Sequence, residues 1–234
     1  LLKTIFERIY GYSPYKSPSD MGVNMAGFAI CNEEVAIKAS KDEIIRRYYQ
    51  ALKNNYLGKF NDQCVEKEEL LMNRLGLTIN DRKCVNACLT KKEKENVPCM
   101  AIELNDGKII TGKRSNLLEA SSALLLNTLK YLAKIDDSIP LISSSVLEPI
   151  QNLKTDLLHN HNSRLRIDEV LIALAIQAKS NPLSEIVLKE LDKLKGSQAH
   201  SSVLLSEFDL KTFKKLGIDV TEEVLSRYRE DMTR

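Results

Sequence analysis

The chain has 234 residues, with 34 Lys or Arg against 32 Asp or Glu and a formal net charge of +2. With 43% apolar and 28% charged residues it can fill a core and keep a soluble surface. So even a charge balance excludes a general nucleic-acid binder, and no apolar run approaches the ~18 residues a membrane span requires.

Leu1–Tyr10 reads as a short amphipathic helix that Gly11 ends. It is interrupted by charge and lacks the features of a signal peptide. The stretch GYSPYKSPSDMGVNMAG follows, and its prolines and glycines exclude regular structure. Val35–Leu57 is the next helix, with a break expected near Ser40, where SKDE has capping-box spacing. Glu66–Leu75 forms a second helix ending at Gly76, and a third starts near Asn80. The charge run Lys91–Asn96 marks a subdomain boundary.

Beyond it, Cys99–Leu104 and Lys108–Thr111 flank Asn105-Asp106-Gly107, a hairpin signal that predicts a type I′ turn. Ser115 is placed to cap a long helix over Asn116–Lys134. Val146–Leu158 is a helix with Pro149 in its first turn, and Asp168–Ala178 is apolar enough to be buried on most sides. Asn181-Pro182 opens another helix that Gly196 closes. Ala199–Leu205 is a strand, Ser206 caps a helix stopping at Gly217, and Ile218–Val220 returns to the sheet. The fold class is α+β or α/β: an N-terminal helical subdomain, then a layered α/β subdomain with a small sheet and flanking helices. The divisions expected are 1–30 (lead helix and polar loop), 31–96 (helical), 97–222 (α/β) and 223–234 (charged tail). A start inside a helical pattern and a charged end suggest a piece of a longer protein.

Four constellations could carry chemistry. The loop from Ser13 to Gly27 gathers Tyr15, Lys16, Ser17, Asp20 and Asn24, with glycines that permit close backbone approach to an anion. It reads equally as a crossover whose prolines and Asp fix turns. Thr111, Gly112 and Lys113 join a strand to a helix N-terminus, an anion-site arrangement or a plain turn with exposed charge. His159 and His161 precede Arg164, Asp168 and Glu169, without the spacing of a known metal motif, so no metal site is assigned. His200 and Ser201 open a strand, and alternation with Val203 and Leu205 points His200 away from the core, as an acid–base group or a hydrogen-bonded structural histidine. The cysteines are odd in number and have no CxxC pair, which argues against a disulfide framework and for free thiols in a reducing cytosol.

The segments TIFERIYG, SPYKSPSDMGVNMAGF, DGKIITGK, SSALLLN, RLRIDEVLIALAI, LKGSQAHSSVLLS and FKKLGI closely resemble successive segments of the bacterial family called domain of unknown function 1846, or uncharacterised protein family 0371. The resemblance covers nearly the whole chain, which looks like the C-terminal half of such a protein. It implies a cytoplasmic enzyme with a three-layer α/β C-terminal subdomain. The preceding half of family members carries a glycine-rich, P-loop-like motif, so no cofactor is expected in this chain, and a nucleotide belongs to the full-length protein. By similarity Tyr15, Lys16, Ser17, Asp20 and Asn24 match the best-marked loop, Thr111, Gly112 and Lys113 a strand–turn–helix motif, and Arg164, Asp168, Glu169, His200 and Ser201 later polar positions. Arg166 stands where the pattern has His, and Ser197 where it has Cys.

Together these readings predict part of an enzyme that binds a phosphorylated or carboxylated small molecule. Lys16, Lys113 and Arg164 would neutralise it, Ser17 and Asn24 orient it, and Asp20 or His200 move protons. The partners expected are that anion and the missing N-terminal half, with no nucleic acid and no membrane. The alternative is a scaffold whose loop and Val35–Leu57 helix build a homo-oligomer.

Overall fold

A computed structural model describes residues 7–11 and 33–224. Helix α1 (Glu33–Tyr56) is continuous, and the expected break near Ser40 does not occur. The Ser40 hydroxyl donates to the Ala36 carbonyl at 2.9 Å, one turn back, so SKDE lies inside a helix rather than at its start. Helix α2 (Asp62–Leu75) stops where Gly76 turns left-handed at φ 63°. A short 3₁₀ turn, Ile79–Asp81, then leads into α3 (Lys83–Glu95), whose last turns hold the charge run. Ile45, Tyr49, Met72, Leu77 and Val85 bury the apolar faces of these helices against one another.

Strands β1 (Cys99–Glu103) and β2 (Ile109–Lys113) form the antiparallel hairpin. Its turn is not type I′, because only Gly107, at φ 80°, has a positive φ there. Gly107 N–H closes on the Leu104 carbonyl, giving a three-residue loop with glycine in the left-handed position. Helix α4 (Ala120–Leu132) starts later than expected, because Ser115 turns its own backbone instead. Its hydroxyl accepts from the N–H groups of Leu117 and Leu118, and Leu118 bridges to Leu165.

Helix α5 (Ser144–Asn152) carries Pro149 in its interior rather than its first turn, and a π-helical turn, Leu153–Leu157, follows. Helix α6 (Ile167–Gln177) is less enclosed than its composition suggests: Val170, Ala173 and Leu174 are buried, but Ile172 and Ile176 are 58% and 50% exposed. Helix α7 (Pro182–Lys189) begins at Asn181, whose side chain accepts from Leu183 N–H. Strand β3 (Gln198–Ser201), α8 (Glu207–Lys215, capped by Ser206) and β4 (Asp219–Glu222) complete the chain.

The sheet order is β2-β1-β3-β4, antiparallel except for the β3–β4 pair. Alternation along β1 divides the core. Met100 and Ile102 join Leu124, Leu129, Leu174, Val187 and Phe213 in the main core on one face. Cys99 and Ala101 meet Cys84 and Cys88 of α3 on the other. Helices therefore cover both faces, in the layered α/β arrangement expected. Polar contacts attach α1 to the sheet: Gln198 to Asp42 at 2.7 Å, Tyr49 to Glu223 at 2.9 Å, and Lys53 to Glu222. No helix among the described residues is long and apolar enough to cross a membrane.

Candidate functional site

Tyr15, Lys16, Ser17, Asp20 and Asn24 lie outside the described residues. The remaining predicted residues fall in three places. Thr111, Gly112 and Lys113 occupy β2, the edge strand, and successive side chains there face opposite ways. Gly112 faces α4, where a Cβ would sit 2.2 Å from the Leu124 backbone nitrogen. Its lack of a side chain is what lets α4 approach the strand. Lys113 reaches α3 on the opposite face, 2.7 Å from Glu95 Oε2, and Lys91 binds the other oxygen at 3.0 Å. Hydrogen bonds from Lys113, then Lys91, hold the Glu95 carboxyl down at about 2. The strand does not run straight into a helix N-terminus, since α4 begins only at Ala120.

Arg164, Asp168 and Glu169 gather at the start of α6. Arg164 Nε donates to the Ser115 carbonyl at 3.0 Å, and Glu169 Oε2 accepts from Arg166 N–H at 2.8 Å and the buried Lys154 ammonium at 2.7 Å. Asp168 Oδ1 is buried without a hydrogen-bond partner. His159 and His161 are exposed in the preceding loop. Among the described residues no group of three His, Cys, Asp or Glu is placed to hold a metal.

His200 does not face away from the core. It is fully buried, because α1 covers the sheet face that strand alternation alone leaves open. Its ring lies 4.9 Å from that of Tyr49. Nε2 donates to Glu223 Oε1 at 3.2 Å, and Nδ1 meets the Thr221 hydroxyl at 2.8 Å. The same Glu223 oxygen accepts from Tyr49. Burial pushes the His200 pKa below its ordinary value, against the raising influence of Glu223. Burial opposes ionisation of Glu223, but the hydrogen bonds from His200 and Tyr49 outweigh it and lower its pKa. Ser201, next on the strand, donates to the Val203 carbonyl at 2.6 Å.

A groove of about 740 Å³ lies along the outer side of β2. Lys91 from α3, Lys108 and Thr111 from the hairpin, Asn127 and Tyr131 from α4, and Lys134 just beyond it line the groove. Asn127 Nδ2 donates to the Thr111 carbonyl at 2.9 Å, and Lys108 Nζ sits 5.5 Å from the centre of the Tyr131 ring. Asp136 and Asp137 line it as well, and the Asp136 carboxylate accepts from the N–H and hydroxyl of Ser138. Those bonds lower its pKa.

Thr111 is thus the one described residue of the predicted site that lines the groove. It and His200 flank Ala101 in one row across the sheet, two strands apart. Sequence reasoning missed Asn127, Tyr131 and Lys134 because they belong to the end of a helix that the strand only meets in three dimensions. The i, i+4 spacing of Asn127 and Tyr131 on α4 was the available signal.

Residues 80–231 match the family described as domain of unknown function DUF1846, C-terminal, and residues 1–76 match domain of unknown function DUF1846, N-terminal. The chain belongs to this DUF1846 family. It carries sequence of both family domains, which corrects the expectation of a C-terminal half alone. The junction, residues 77–79, follows the left-handed Gly76, and α3 falls within the C-terminal match. A UPF0371 protein of Streptococcus pyogenes serotype M5 is 48% identical over 221 residues, 94% of this chain and 45% of the relative. A UPF0371 protein of Streptococcus pneumoniae strain JJA is 47% identical over 228 residues, 97% of this chain and 46% of the relative. The chain spans about half the length of the curated relatives it matches.

Proposed function

We propose that this chain supplies the binding surface for a small carboxylated or phosphorylated molecule within a larger DUF1846 protein. The observation that carries this reading is the convergence of Lys91, Lys108 and Lys134 on the one groove beside β2. Lys108 and Lys134 form no ion pair within the described residues, so their charge is available to a ligand. Asn127 and Tyr131 add a polar edge and an aromatic face, the mixture that small-molecule clefts use. His200 is given no proton transfer here, since both ring nitrogens are engaged and the ring is enclosed. In keeping with the family resemblance, nucleotide binding is assigned to the part of the longer relatives outside this chain.

Isothermal titration with citrate and with pyrophosphate tests the reading. Binding is expected to weaken by about tenfold or more in Lys108→Ala and Lys134→Ala, which corresponds to ~1.4 kcal/mol each. No binding of either anion by the wild type, or binding by both variants as tight as the wild type's, overturns it.

A second reading, assembly of a homo-oligomer, draws on Ile172 and Ile176, one turn apart on the exposed face of α6. A concentration-independent monomer mass by light scattering, unchanged in Ile172→Glu, would exclude that face as a subunit contact.

A further inference from the structure

The groove has a backbone as well as side chains. Leu104 N–H bonds to the Lys108 carbonyl and Arg114 N–H to the Pro98 carbonyl. In an antiparallel pair the bonded positions alternate, so Lys108, Ile110, Gly112 and Arg114 turn their N–H and C=O groups toward β1. Ile109, Thr111 and Lys113 turn theirs outward. The Thr111 carbonyl confirms this, because it accepts from Asn127 on the groove side. No other strand of the described residues pairs with this edge. The Ile109 N–H and C=O and the Thr111 N–H are therefore left in register along the groove, whose lining sets the three lysines Lys91, Lys108 and Lys134 against the two aspartates Asp136 and Asp137. A small phosphate or carboxylate has no use for a donor–acceptor–donor row at strand spacing. An extended amide chain does, and the lysines select one that carries carboxylates.

We infer that the groove also takes an acidic peptide segment, which adds as a strand to the free edge of β2 and meets with its carboxylates the lysines that a small anion meets. This inference rests on the anion-binding reading above. The peptide accepts from Ile109 N–H and Thr111 N–H and donates to the Ile109 carbonyl. Alternate side chains of an added strand point to the same face, so carboxylates two residues apart reach the lysines of one wall. Asn127 keeps the Thr111 carbonyl satisfied whether the edge is occupied or free. The edge lysines would otherwise discourage strand addition, and the acidic side chains of the peptide are what remove that barrier.

The test uses fluorescence anisotropy with a labelled Glu-Val-Glu-Val-Glu peptide, its Gln counterpart, and the Glu peptide N-methylated at alternate residues, with citrate as the small-anion probe. The Glu peptide is expected to bind, with the Gln and N-methylated forms each weaker by about tenfold or more. Thr111→Pro removes an outward N–H while sparing the ladder to β1, a position where an edge strand tolerates proline. It is expected to lower peptide affinity by a similar factor and citrate affinity by clearly less. N-methylation of the peptide supplies the same information with the wild-type chain if that variant fails to fold. Citrate binding with no tighter peptide binding, or peptide binding indifferent to N-methylation, overturns the strand-addition inference and leaves the anion reading standing. Failure of both citrate and peptide to bind overturns both.

Discussion

Gly112 of β2 lies flush against the backbone of Leu124 in α4. A Cβ built on Gly112 would stand 2.2 Å from Leu124 N and 2.5 Å from its Cα. Atoms of a helix backbone cannot rotate out of the way, so the whole helix must shift to admit one methyl group. Gly112→Ala is expected to destabilise the chain by at least the ~1–3 kcal/mol of core overpacking. Because α4 also forms a wall of the groove, citrate affinity is expected to fall with it. Urea unfolding checks the first outcome and titration the second.

Arg82 and Asp219 make an unequal pair. The guanidinium is fully buried, while Asp219 is 45% exposed at the sheet's far edge. Arg82 donates to the Asp219 carboxylate at 3.0 Å and to the carbonyls of Asp219 and Ala199. Removing the exposed partner leaves a charge enclosed, whereas removing the buried one leaves a carboxylate that water can solvate. Asp219→Ala is therefore expected to cost about 3–5 kcal/mol, and Arg82→Met less. Chemical denaturation of the two variants should give that order, and the reverse order would mean that the carbonyl contacts of Arg82 outweigh its charge.

Stability is expected to fall in two stages on acidification. His200 has a depressed pKa in the folded chain, so below its ordinary 6.5 the unfolded chain binds a proton that the folded chain refuses. Stability is lost from that point down through the folded value. Glu43, held at about 2 by hydrogen bonding to Arg46, and Glu223, also depressed, add a second loss below their ordinary 4.5. Asp209, raised by burial, opposes this second stage, since it favours the folded chain as it protonates. Urea midpoints measured from pH 8 to 3 should show both stages, and His200→Gln should flatten the first and, through the lost His200 contact, reduce the share of Glu223 in the second.

Three of the four described cysteines are buried. Burial raises the Cys84 thiol to about 11 and raises Cys88 and Cys99 as well. Thiolate is the reactive form, so these three are expected to resist alkylation in the native chain, with Cys64 labelled before them. Peptide mapping by mass spectrometry before and after denaturation checks this, and native labelling of Cys88 would contradict the packing of α3 on β1.

The sequence was sufficient wherever the determining interaction is local. Gly76 ends α2, Asn181-Pro182 opens α7, Ser206 caps α8 and Gly107 turns the hairpin, each through a backbone requirement met by that residue and its neighbours. Ser40 and Ser115 show the limit of that reasoning. Each has the residues of a helix start, but a hydroxyl can bond backward to a carbonyl or forward to a turn, and the rest of the chain selects which.

The candidate site depended on the tertiary structure more heavily still. Alternation along β3 places His200 and Ala199 on opposite faces, but which face is open depends on where α1 docks, and α1 closes it with Tyr49. Thr111 was legible as part of a strand, yet its neighbours Asn127, Tyr131 and Lys134 arrive only because Gly112 lets α4 close onto β2. Hydrophobic period and turn chemistry thus set the elements of this chain. The groove, its lysines and the free edge of β2 were decided by packing, because contacts between elements distant in sequence leave no periodic mark within either one.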